Sequence, residues 1–396
     1  MTPYASLTYW VIAAYALVPA VIIAWTGRLG RSWLLILTAV MLLVQYGGVV
    51  PLGSDVAVRE IWLVVGFGVF QYAIASTFLA VRSLASSSRR LHYGVLPLAL
   101  VPLIATRLST VSPGEQATLG LAGFLGISYS TFRAADVLFG IQDGLIRSLS
   151  PRSYLLYLFF FPTVSSGPID RYRRFIVDLD RRRTRAELRA DADVCVHYVF
   201  TGLLYKFVLA ALVEQTWLAP LREETGFLAT ASFMYAYTFH LFFDFAGYSA
   251  FAIGLSYLLG VHTPENFRRP FLARNIREFW DRWHISLSHF FRDHVYMRFV
   301  MHATRRRWFR SKYAASYLGL LLSFGLMGAW HGLQGQYLLY GLYHAALVVG
   351  QDLFSRWDRR RGVRRDGLVW RMTATVMTFH CVCFGFLIFS GRLNGS

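Results

Sequence analysis

Ten long apolar runs, separated by short arginine-rich loops, leave this chain few ways to fold. They lie at roughly 7–26, 33–50, 61–81, 93–108, 117–138, 192–218, 228–260, 313–333, 337–355 and 369–390. A run of that length spans a bilayer as a helix, because only internal hydrogen bonding satisfies its backbone there. Hydrophobic residues make up 55% of the 396, and the mean hydropathy is +0.42. That balance excludes an ordinary soluble enzyme. Length alone would allow two or three soluble domains. Runs that follow one another with such short loops instead predict one integral membrane domain over 1–396.

The formal net charge of +18 raises the question of nucleic acid. The basic residues, however, cluster between apolar runs, as expected for cytoplasmic loops of a membrane protein, so no nucleic-acid partner is expected. Clusters follow the first run (Arg28, Arg31) and the third (Arg82, Arg89, Arg90), and recur at 147–152, 171–189, 268–282, 305–312 and 356–371. Placing them all in the cytoplasm puts both termini outside. The first run has no basic residues before it, so we read an uncleaved first helix rather than a signal peptide. Cys195, Cys381 and Cys383 all fall in apolar segments and predict neither a disulfide framework nor a metal site.

Two segments break the simple path. Residues 154–167 are apolar but flanked by basic clusters on both sides. About 14 residues reach only ~21 Å as helix, short of a ~30 Å core, and Pro162 and Pro168 interrupt them. A re-entrant or partly buried segment is expected, because irregular backbone at that depth needs protein or a water-filled cavity around it. Residues 284–301 mix Phe290, Phe291, Val295 and Phe299 with Arg292, Asp293 and Arg298, the pattern of an interfacial helix at the cytoplasmic face.

Within this framework a few ionisable groups stand out. His331 sits in Met327-Gly328-Ala329-Trp330-His331-Gly332, inside an apolar run. An intramembrane imidazole is expensive and can exchange a proton near neutrality, so it suggests catalysis, although a satisfied structural histidine fits the same pattern. The flanking glycines allow close approach of a backbone or a ligand. His284, His289 and His294 are spaced by five and share no helix face, which argues against zinc. His240 and Asp244 are four apart, a spacing for a hydrogen-bonded pair that shapes a cavity or takes part in chemistry. The 167–175 stretch, with Asp170, Arg171, Arg173 and Arg174, reads either as a membrane-surface anchor or as a basic docking surface for an acidic partner.

Taken together, these blocks resemble the membrane-bound O-acyltransferase family, and most closely its D-alanyl transfer branch. The resemblance rests on Ser166-Gly167-Pro168-Ile169-Asp170-Arg171-Tyr172-Arg173-Arg174-Phe175, on Phe243-Asp244-Phe245-Ala246-Gly247-Tyr248-Ser249, on Asn266-Phe267 with Pro270-Phe271, on residues 275–288, and on the 327–332 block. It is strongest over residues 120–350. It implies an all-α polytopic fold of about 10–11 transmembrane helices, with re-entrant and interfacial helices, in a ring around a central funnel and tunnel. It implies a multi-pass protein of the bacterial cytoplasmic membrane. His331 matches the family's active-site histidine and His284 its second histidine. The charge-based path sets these two on opposite sides of such a tunnel.

The resemblance also implies chemistry and partners. An acidic carrier protein would present D-alanine as a thioester on its own phosphopantetheine, so the chain itself binds no cofactor and no metal. The carrier would dock at, and its arm pass, a surface including Trp280, Arg282, Trp283, Asp170, Arg171, Arg173, Arg174, Asp244 and Trp330. An outer-face partner protein, membrane lipid and an envelope-polymer acceptor such as teichoic acid complete the set. An O-acetyltransferase of exported polysaccharide is the nearest rival. A transporter with His331 as proton relay, or an envelope-complex scaffold, are rivals of other classes.

Overall fold

A computed structural model describes residues 7–26, 30–47, 55–84, 89–109, 124–362, 365 and 367–394 of the chain. Among them five helices are long and apolar enough to cross a membrane: Val58–Ser83, Arg185–Leu221, Phe227–Leu258, Tyr313–His331 and Leu368–Ser390. Tyr9–Trp25, Arg31–Tyr46 and Gly94–Leu108 are shorter apolar helices. Among the described residues no sheet forms, and β-type pairing is confined to a bridge between Phe267 and Trp283. The protein is an all-α, multi-pass membrane protein. Residues 1–202 with 248–264 make one compact unit, and residues 203–247 with 265–396 a second.

In the first unit, the run expected to span at 117–138 is instead the helix Ile127–Gln142, with residues 117–123 outside the described part. This helix is buried along most of its length, and Arg133 is 1% exposed. Its polar residues explain why it is wrapped in protein rather than lipid. The Arg133 guanidinium donates to the carbonyls of Tyr157 (2.9 Å), Leu158 (3.3 Å) and Thr163 (2.8 Å), and to the Thr163 hydroxyl. Those carbonyls belong to the segment expected to be re-entrant or partly buried. That segment is buried: the helix Pro151–Phe159 ends ahead of Pro162, and a tight turn Phe161–Thr163 follows. Proline stops the helix, and one arginine takes over the acceptors that the broken helix leaves unpaired.

The next residues are stitched to the same helix. Asp136 accepts from Arg171 Nη1 and from the Tyr172 backbone N–H, both at 2.9 Å. Asp170, itself buried, accepts from Arg174 Nε at 2.7 Å and from the Arg171 N–H at 2.6 Å. Arg174 also donates to the His262 carbonyl. Arg171 and Arg174 are therefore committed to carboxylates of the fold, which revises their reading as a freely available docking surface. Arg173 remains exposed.

In the second unit, His240 and Asp244 do not pair with each other. Asp244 forms an ion pair with Lys206, and His240 Nδ1 lies 3.2 Å from the Ala210 carbonyl and 3.7 Å from Glu214. The preceding helical stretch supplies a partner to each, so the shared face predicted from the spacing is used against a neighbour. The segment 284–301 also differs from an interfacial helix. Its first half, Ile285–Phe291, is largely buried, and only the second, Met297–Arg305, keeps a single buried residue, Ala303. The mixed composition averaged two different environments.

The role of Arg133 is testable. Arg133→Gln leaves several buried carbonyls without a donor, each costing about 1–3 kcal/mol. The unfolding midpoint of the purified protein in detergent should fall sharply; a midpoint equal to wild type would refute this role.

Candidate active site

The placement of His284 begins with Asn275. Its side chain accepts from the Glu278 N–H at 3.0 Å and starts the short helix Ile276–Trp280. Glu278 reaches back to the Arg274 N–H (2.7 Å), just ahead of the Asn275 cap, and binds Arg282 (2.5 Å). The chain then folds back on itself. Arg268 N–H donates to the Arg282 carbonyl at 2.9 Å, and Ile285 N–H to the Asn266 carbonyl at 3.0 Å. The Asn266 side chain accepts the Ser286 hydroxyl at 2.6 Å. Between these clamps His284 adopts φ 43°, a left-handed conformation that a non-glycine residue holds only when its surroundings dictate it.

Aromatic rings fill the space behind this knot. Trp283 packs against Phe267 (5.0 Å between centroids), Phe279 (5.6 Å) and Phe386 (4.8 Å). Trp280 packs on Phe324 (5.2 Å) and His344 (5.1 Å). Both tryptophans are buried, and Arg282 is paired with Glu278, so these three residues build the knot rather than an exposed surface. Arg277 ties the knot to Asp352 at 3.0 Å.

His331 arrives on the last turn of Lys312–His331. The next helix, Gly335–Arg360, returns almost in backbone contact. A methyl group added at Gly341 would fall on the Phe324 carbonyl oxygen, and one at Gly328 on that of Tyr337. The glycine beside His331 thus serves backbone approach, the first of the two uses its sequence allows. This contact sets Tyr340 and Tyr337 around the imidazole, each 6.3 Å away between centroids, while Phe389 closes the wall at 5.0 Å.

The two histidines belong to one site. His284 lies 6.5 Å from the Trp330 ring, and Trp330 lies 4.5 Å from His331. This corrects the expectation that they face opposite sides. The charge rule places whole loops and cannot register a loop that folds back into protein, as 266–288 does through Asn266. His284 is 4% exposed, packs edge-on against Phe245 at 4.7 Å, and its Nδ1 has no hydrogen-bond partner. Burial, and then the neighbouring His331, lowers its pKa below the ordinary imidazole range.

The model of the membrane-bound O-acyltransferase family matches residues 121–389, which include both histidines and the whole knot. The chain belongs to the membrane-bound O-acyltransferase family. A teichoic acid D-alanyltransferase of Bacillus subtilis (strain 168) is 37% identical over 403 residues, covering 99% of this chain and 98% of that protein. One from Lacticaseibacillus rhamnosus is 34% identical, covering 100% and 98%. A probable alginate O-acetylase of Pseudomonas aeruginosa is 30% identical over 67% of this chain and 48% of its own length. The protein is an acyltransferase, as the motif blocks led us to expect.

Tyr337, Tyr340, His344 and Phe389 were not singled out from the sequence, and Phe245 was noted only as part of the 243–249 block. Tyr337, Tyr340 and His344 are spaced three and four apart, a helix face that could have been read. Phe389 carried no signal, since it comes from a distant apolar helix.

Two outcomes follow. Gly341→Ala forces the two helices apart at an overpacking cost of about 1–3 kcal/mol; it should lower both thermal stability and acyl transfer, and unaltered values would show that the contact is slack. His284 is neutral when folded but takes a proton when unfolded below about 6.5. Its contribution to stability is complete above that pH and is lost as pH falls. His284→Asn, which tolerates the left-handed backbone, should flatten the acid-side decline in unfolding midpoint; an identical slope in the two proteins would refute this.

Proposed function

We propose that this chain transfers D-alanine to teichoic acid or a similar envelope polymer, using His331 as general base. The observation that carries this reading is the full-length similarity to two teichoic acid D-alanyltransferases. The donor in this reading is a D-alanyl thioester on the phosphopantetheine of an acidic carrier protein at the cytoplasmic face. An outer-face partner protein would assist passage to the polymer, or an intermediary protein residue would receive the D-alanyl group first.

The chemistry needs a base and a group facing the carbonyl oxygen. His331, as neutral imidazole, takes the proton of the acceptor hydroxyl while that oxygen attacks the thioester carbonyl. The tetrahedral intermediate collapses with cleavage of the C–S bond, and the imidazolium returns its proton to the departing thiolate. His284 is a neutral ring buried near Trp330, with one nitrogen unpaired. In this reading it faces the carbonyl oxygen as charge develops there. The aromatic wall of Tyr337, Tyr340 and Phe389 limits water, which would otherwise hydrolyse the thioester.

One second reading has support of its own. The similarity to the alginate O-acetylase favours O-acetyl transfer to an exported polysaccharide, with the same base and a different donor.

The test follows labelled D-alanine from a loaded carrier protein, beside a labelled acetyl donor, into envelope polymer in vesicles holding the protein and its partners. D-alanine transfer is expected. His331→Ala should reduce it by ~10²–10⁴-fold, the usual span for a general base. His284→Ala should cost ~10²–10³-fold, as for a lost oxyanion donor. Acetyl transfer alone would replace the substrate assignment, and full activity in His331→Ala would remove the mechanism. Flux of an ion or solute without acyl transfer would instead favour the transporter reading.

A further inference from the structure

Within the first unit, a cavity of about 350 Å³ opens where Arg31, Arg147 and Arg173 converge. Arg31 is fixed in its wall: Nη1 donates to Ser153 Oγ at 2.8 Å, and Nη2 pairs with Asp180. Arg147 and Arg173 differ. Both are exposed. Among the described residues neither has a carboxylate partner, and Arg147 makes only a long contact of 3.4 Å to the Gly144 carbonyl. The cavity therefore holds three guanidinium groups against the one carboxylate of Asp180, a net excess of positive charge.

The other polar groups of the cavity are donors as well. Ser148 and Ser150 are exposed hydroxyls at its edge. Ser150 precedes the helix Pro151–Phe159 without capping it through its side chain, so its hydroxyl remains available. Forked guanidinium groups beside hydroxyls match the tetrahedral oxygens of a phosphate.

The surroundings point to the source of that phosphate. Arg31 is the first residue of an apolar helix, where basic side chains meet lipid headgroups. Trp33, two residues along, is 50% exposed, as an interfacial anchor would be. The remaining wall is apolar: Leu145, Ile146 and Ile176 line it, and Leu145 is 53% exposed. A free phosphate has no use for that surface, whereas the glycerol and first methylenes of a lipid would cover it.

We propose that this cavity binds the phosphate of an anionic membrane phospholipid, with Arg147 and Arg173 as the groups that hold it. The site is separate from the histidines and does not depend on which acyl group the protein transfers.

The test uses the full chain purified in phosphate-free detergent. The unfolding midpoint is followed while phosphatidylglycerol, phosphatidylcholine of the same chains, or inorganic phosphate is added. Phosphatidylglycerol should raise the wild-type midpoint in a saturable way, and phosphatidylcholine should not. The double variant Arg147→Gln, Arg173→Gln should need roughly 30-fold more phosphatidylglycerol, from the loss of two surface charges at about 1 kcal/mol each. Arg173→Lys, which keeps the charge, should respond more like wild type and guards against a folding defect in the double variant. Equal protection of wild type and double variant, or equal effects of the two lipids, would overturn the proposal. Saturable protection by inorganic phosphate alone, lost in the double variant, would overturn the lipid source and leave a free-phosphate site.

Discussion

A polar group in the interior of a membrane protein has no water to fall back on, and that constraint organises both units. Wherever the chain abandons a helix, its backbone donors and acceptors must be met by other protein groups. In the first unit the break after Phe159 is resolved by one buried cation: Arg133 collects three carbonyls, and Asp136 and Asp170 gather the arginines that follow. In the second unit the break over residues 266–288 is resolved by Asn266 and by the Asn275–Glu278 cap. These irregular segments hold three of the motif blocks that carry the family resemblance. Their polar residues are explained first by the hydrogen bonds they make.

The knot around Asn266 does more than satisfy backbone. It holds His284 in a left-handed conformation and presses it against Phe245 and Trp330. Close glycine-mediated packing of the neighbouring helices brings His331 against the same indole. Burial keeps His284 uncharged, which leaves a pair of imidazoles able to share a site without repelling each other. An aromatic enclosure of this kind has a low dielectric, so each hydrogen bond made to a developing charge counts for more than in water.

The strongly basic composition divides into roles that the linear sequence does not separate. Arg133, Arg171, Arg174 and Arg183 pair with carbonyls or carboxylates inside the first unit, and Arg277, Arg282 and Arg356 with carboxylates in the second. They are structural, and each has its acceptor close by. Among the described residues Arg147 and Arg173 have no such counter-charge and stay open to an outside anion. Counting arginines in loops therefore says little about which of them could bind a partner.

The sequence alone was enough for the all-α membrane class, the family and the buried character of residues 154–167. Apolar run length and rare intramembrane polar residues are strong local signals, because the bilayer penalises every exception. What only the tertiary structure decided was company. His284 and His331 are 47 residues apart in the chain, yet share one site. His240 and Asp244 share a helix face but turn to Ala210 and Lys206 instead. Phe389 joins the site from a distant helix. Spacing along a helix says which side chains share a face, and charge says on which side of a membrane a loop begins. Neither says which neighbour that face will meet, since that depends on contacts between residues far apart in sequence.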